Sequence, residues 1–97
     1  MNRAEVEHNY KARNLDIEYC NDEPGKIYEP HRHEQTYLYT LSGLVKIKVD
    51  DSDWQTLEPG QEFIVGTNQL HEAEVGSEGW EYVAAWDPKE AKKFKRQ

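Results

Sequence analysis

The chain has 97 residues, 36% of them apolar and 32% charged, with a formal net charge of −7, a length that suits one modest core over residues 1–97 and is short for two. Three Trp, six Tyr and two Phe supply large buriable surfaces of the kind disordered chains lack, so a folded domain is expected. No run approaches the roughly 18 apolar residues of a membrane span, and the opening MNRAEVEHNYKARNLD has no apolar core of a secretory signal; the expectation is a cytoplasmic protein with no membrane partner.

Charge is unevenly spread. Residues 1–88 carry 7 basic and 18 acidic groups, net −11, whereas residues 89–97 carry 5 basic and 1 acidic, net +4. An acidic body repels phosphate backbones, which argues against nucleic acid as a partner. The basic tail reads as a solvated helix face or a dock onto an acidic protein.

The first residues are polar, and His8 there is expected at the surface. From Leu15 to Trp86 period-two alternation dominates. LDIEYC reads as a strand that contains Cys20, the single cysteine; with no second thiol there is no internal disulfide and no thiolate cluster, so any metal must use nitrogen and oxygen ligands. GKIYEPHRH sets His31 and His33 two apart, which in a strand turns both imidazoles to one face. In YLYTL, Tyr37, Tyr39 and Leu41 share a face. In LVKIKV, Val45, Ile47 and Val49 oppose Lys46 and Lys48, as in a strand with one buried and one wet side. HEAEV puts His71 with Ala73 and Val75 on the apolar, inward side. GWEYVAAW aligns Trp80, Tyr82, Ala84 and Trp86, which are core residues first, though one or two can line a pocket. Trp54, in DDSDW, is expected at the surface or an interface.

Turn signals recur at Asn21–Gly25, Ser42–Gly43, Asp50–Asp53, Glu58–Gly60, Gly66–Asn68 and Gly76–Gly79. Short strands between regular turns make an all-β sandwich or barrel, spanning about residues 15–88. Asp87-Pro88-Lys89-Glu90 then combines an N-cap acceptor, a first-turn proline and a glutamate three residues after the cap. This predicts a short C-terminal helix over about 88–96, with Ala91 and Phe94 available for docking.

His31 and His33 on one wall are half of a site for a borderline metal, and His71, inward-facing on a distant strand, is the candidate third ligand. Three such histidines leave coordination positions open for water or a small molecule.

These residues resemble the cupin superfamily over about Leu15 to Pro88. Gly25, five residues, then His31 and His33 matches the first cupin motif, and Gly60 with His71 eleven residues later matches the second; 16 residues separate Gly43 from Gly60. The resemblance implies a small antiparallel β-barrel of the jelly-roll type. It also implies a homodimer, and a divalent Fe, Mn, Zn or Ni ion on His31, His33 and His71. Where the family carries a glutamate four residues after the second histidine this chain has Tyr37, and the closing glycine comes one residue early at Gly43. Gln35 and Tyr37 share strand parity with His33 and can offer an oxygen; Glu34 has the right charge but should face outward unless a bulge intervenes. The family implication for function is binding or conversion of a small oxygen-donor molecule at the metal. Its chemistries include those of dioxygenases and isomerases, and loss of the glutamate resembles the three-histidine sites of thiol and diketone dioxygenases. The competing reading is a non-catalytic sensor or binding module with a structural metal. Apart from Glu29 and Glu34, no general base stands near the histidines.

Overall fold

The structure, a computed structural model, describes residues 1–95, with side chains as far as Lys93. Its elements are α1 (Arg3–Ala12), β1 (Asp16–Asp22), β2 (Ile27–His31), β3 (Thr36–Val49), β4 (Gln55–Leu57), β5 (Glu62–Val65), β6 (His71–Trp86) and α2 (Pro88–Lys95). Among the described residues no helix is long and apolar enough to cross a membrane.

Two long strands organise the sheet. β3 and β6 pair antiparallel along most of their length, and each carries two further partners: β1 and β2 on successive stretches of β6, β4 and β5 on successive stretches of β3. Both long strands break register midway, between Thr40 and Val45 on β3, and there the partner jumps from Trp80 to Val75 on β6. The expected turns at Ser42–Gly43 and Gly76–Gly79 are these bulges. They do not reverse the chain; they bend two continuous strands so that each serves both walls of the barrel. Gly43 and Gly79 sit there at φ +76° and +80°, a region open to glycine without a Cβ penalty.

The bulges also switch strand parity. Val45, Ile47, Val49, Ala73 and Val75 point inward on one side of them, Trp80 and Tyr82 on the other, and these form one buried cluster with Leu57 and Val65. Where the first half of β3 pairs with the second half of β6, the opposite face carries Tyr39, Val83 and Ala85, which pack against Val6 and Tyr10 of α1. Tyr37 and Leu41 share that face with Tyr39, as their alternation requires, but it is the outer face beneath the helix.

Helix α1 was not expected from the polar N-terminus. Its signals are a capping box, in which the Glu5 amide donates to the Asn2 side chain (2.9 Å) and the Asn2 amide to the Glu5 carboxylate (3.1 Å), and Val6 and Tyr10 one turn apart. Both side chains are 1% exposed, so two residues carry the whole apolar face. At the other end the expected cap is present: the Lys89 amide donates to Asp87 Oδ1 at 2.8 Å, and Ala91 is buried. The docking expected of Phe94 lies outside the described side chains, and position 96 outside the described residues. Cys20 lies in β1 as a free, half-buried thiol, and Trp54 is 45% exposed.

Candidate metal centre

The three predicted histidines converge at one end of the barrel. β2 ends at His31, which stands opposite His71, the first residue of β6; Val49 of β3 flanks His71 on its other side. His33 lies beyond the strand, in the connection to β3. Ring centroids are 4.2 Å apart for His31 and His71, 4.4 Å for His33 and His71, and 5.3 Å for His31 and His33. One ring nitrogen from each falls within 4.8 Å of the others. His71 is buried and the other two half-buried.

Each Nδ1 meets a backbone carbonyl: Glu29 O for His31 (2.6 Å), Glu34 O for His33 (2.6 Å) and Gln69 O for His71 (2.8 Å). A carbonyl only accepts, so each Nδ1 carries a proton, and the neutral form of each ring is the tautomer with its lone pair on Nε2. These bonds fix the three ring orientations and select the tautomer that a metal ligand needs, with the outer shell already in place. Burial, together with the other two histidines, lowers the His71 pKa, while the bond to the Gln69 carbonyl opposes that shift. The donor set fits a divalent ion of the imidazole-preferring kind.

Inward of the histidines is a cavity of about 90 Å³, lined among others by Tyr28, Thr36, Leu38, Trp80 and Tyr82. No aspartate, glutamate or lysine lines it among the described residues. Glu29 and Glu34 therefore act through their carbonyls, not as bases facing the cavity.

Gln35 and Tyr37 are not at this centre. The parity that linked them to His33 fails because β2 stops at His31 and β3 restarts at Thr36, which resets the alternation. Thr36 and Leu38 face the cavity; Tyr37 turns outward, where its ring meets Tyr10 (5.9 Å) and the Arg13 guanidinium (4.8 Å). Its hydroxyl accepts from Gln35 Nε2 at 2.9 Å, and both residues line a separate cavity with Arg13 and Asp87. His8 is exposed on α1.

Sequence reasoning passed over Tyr28. Three residues from His31, it should occupy the opposite face, but a register shift between Tyr28 and His31 brings both to the cavity. Trp80 and Tyr82 were expected in the core, and they form the cavity floor with rings stacked 3.5 Å apart.

No family model matches the sequence, and no curated protein matches it. Solved structures do. KdgF from Halomonas sp. superposes with a TM-score of 0.68 at 20% identity, over 76% of this chain and 68% of that one. An RmlC-like cupin family protein with a double-stranded β-helix fold from Methanocaldococcus jannaschii gives 0.72 at 17%, over 84% and 75%. The chain has the cupin fold. The DMSP lyase DddQ from Ruegeria pomeroyi also matches, at 0.69 and 16% identity over 74% of this chain, but this cupin barrel spans only 37% of that protein. At such identities the likeness is one of fold, and it leaves activity to the site.

Proposed function

We propose that this cupin binds a divalent metal through Nε2 of His31, His33 and His71, and uses the positions left open to bind a small oxygen-donor molecule. The observation that carries this is the set of three Nδ1–carbonyl hydrogen bonds at 2.6, 2.6 and 2.8 Å, which leave three lone pairs directed from one small cluster. When bound, the ion supplies Lewis acidity toward an oxygen ligand. The protein supplies orientation and a largely apolar cavity of about 90 Å³, well below the roughly 300–1,000 Å³ of sites for drug-sized ligands. The ligand is correspondingly a molecule of a few non-hydrogen atoms.

Elemental analysis of purified protein tests the reading and identifies the metal. His31→Ala and His71→Ala should lose most of the metal and remain folded by circular dichroism, while His8→Ala keeps it. Full occupancy in both site variants would overturn the ligand set.

Among the described residues no carboxylate or amine lines the cavity, which favours a second reading, a sensor or binding module without turnover, because proton-transfer chemistry needs a base within reach of the ligand. Turnover screening with iron- or manganese-loaded protein separates the two. A homodimer belongs to the same proposal: Ile27, Leu44, Trp54 and Ile64 are 61%, 39%, 45% and 48% exposed, apolar area that association would cover. A monomer mass by light scattering across a wide concentration range would remove it. A single functional module over residues 1–97, acting in the cytoplasm, completes the proposal.

A further inference from the structure

Tyr28 and Tyr82 line the cavity behind the histidines, and their hydroxyl oxygens are 3.2 Å apart. The direction of that bond follows from the next one. Tyr28 donates to Asp22 Oδ2 at 2.6 Å, and a carboxylate can only accept, so the single Tyr28 proton is committed there. Between the two phenols the Tyr28 oxygen must then be the acceptor and Tyr82 the donor. The relay runs one way, from Tyr82 to Tyr28 to Asp22.

Asp22 is held in turn by Lys26 Nζ at 3.5 Å, and its side chain is only 9% exposed. The Tyr82 ring is fixed by its stack on Trp80, whose indole N–H donates to Thr40 Oγ1 at 3.0 Å. Burial raises both phenol pKa values, helped by Asp22 for Tyr28 and by Tyr28 for Tyr82, so both stay protonated at neutral pH. With both protons spent, the pair can offer a ligand only lone pairs. The Tyr82 oxygen carries them most freely: among the described residues its hydroxyl bonds only to Tyr28, and the Cys20 thiol on the neighbouring strand donates to the Glu18 carbonyl at 3.9 Å.

We propose that Tyr28 and Tyr82 form an acceptor wall that selects ligands carrying an O–H or N–H donor on the part of the molecule away from its metal-binding oxygen, with Asp22 as the positioning residue that fixes the wall's polarity. This deepens the reading of the histidine site and rests on it for the placement of the ligand's oxygen end. The ligand class is a small hydroxy or amino acid, as opposed to the plain acid of the same carbon skeleton.

The test is calorimetric titration of the protein, with and without zinc, using 3-hydroxypropionate and propionate. Zinc dependence of binding examines the metal reading; the ratio of the two affinities examines the wall. Wild-type protein should prefer the hydroxy acid by about threefold to tenfold, the worth of one net hydrogen bond. Tyr82→Phe removes the acceptor and should bring the ratio near one, and Tyr28→Phe, which frees the Tyr82 proton but keeps its lone pairs, should lower the ratio less; zinc content stays unchanged in both. Asp22→Asn, whose amide can donate to the Tyr28 oxygen, should lower the ratio in a protein that still folds. Equal affinities in the wild type, a preference that survives both phenylalanine variants, or no binding of either acid would each overturn the wall.

Discussion

Gly43 and Gly79 face each other so closely that a Cβ on Gly43 would lie 2.0 Å from the Gly79 carbonyl oxygen. The contact is backbone on backbone, at the point where β3 and β6 bulge together, so neither strand can yield without moving the barrel corner. Gly43→Ala combines this clash with a positive φ and should cost about 3 kcal/mol or more in denaturant unfolding. Gly60 is the control: it also has positive φ, +87°, but nothing lies within 4 Å of its missing Cβ. Gly60→Ala should cost only about 1 kcal/mol, the conformational part alone. Equal losses at the two sites would show that crowding at the corner is not what fixes Gly43.

Tyr10 ties α1 to the barrel twice, through a ring that is 1% exposed and a hydroxyl that donates to Glu62 at 2.6 Å. Tyr10→Phe removes only the bond to a charged acceptor and should cost about 1.5–3 kcal/mol. Tyr10→Ala also empties the contact with Val83 and Ala85, raising the loss to about 3–5 kcal/mol. Protection of α1 amides from hydrogen exchange should fall in both variants before that of β3 and β6. Uniform loss across the chain would mean that helix and barrel open as one unit.

Much of the barrel was legible because alternation in LVKIKV and HEAEV survives intact between bulges, so Val45, Ile47, His71 and Val75 were placed inward correctly. Alternation placed His71 inward, whereas the convergence of His31 and His33 on it followed from motif spacing, since His33 lies past the end of β2. What alternation cannot carry is phase across a break. Gly43 and Gly79 read as turns, because a glycine at positive φ makes a turn or a bulge equally well and only the partner strand decides. The interruption at Arg32–Gln35 put Gln35 and Tyr37 on the wrong side, and the shift after Tyr28 hid that residue from the site. Helix α1 was missed because its apolar face is two residues, Val6 and Tyr10, within a polar stretch; the Asn2–Glu5 capping pattern was the available signal.

His71 gives the metal-free protein a predictable pH dependence. Its pKa is lowered from 6.5 in the folded state, chiefly by burial, so between the unfolded and folded values the unfolded chain binds more protons. Stability then rises with pH through that window, and is lost as pH falls from about 6.5 through the lowered folded value. His71→Gln should flatten this limb in urea unfolding midpoints collected from pH 7.5 to 5. A slope unchanged by the substitution would assign the dependence to other groups. Metal should steepen the same limb in the wild type, because ligation requires the neutral imidazole.

Tyr37 separates the histidine centre from the outer cavity. Its hydroxyl is engaged by Gln35 at 2.9 Å and its ring by Tyr10 and Arg13, all on the face of β3 that carries α1. Thr36 and Leu38, its neighbours, face the histidine cavity instead. Tyr37→Phe should therefore leave metal content and the affinity for small carboxylates unchanged, and lower stability by about 0.5–1.5 kcal/mol through the lost hydrogen bond. Gln35→Ala should do the same, and the double variant should lose less than the sum of the two, since both remove one shared bond. Metal titration and urea unfolding on the three variants measure this directly. A drop in metal occupancy in Tyr37→Phe would mean that the phenol swings through β3's connection to reach the ion, and that the three-histidine centre has a fourth protein ligand.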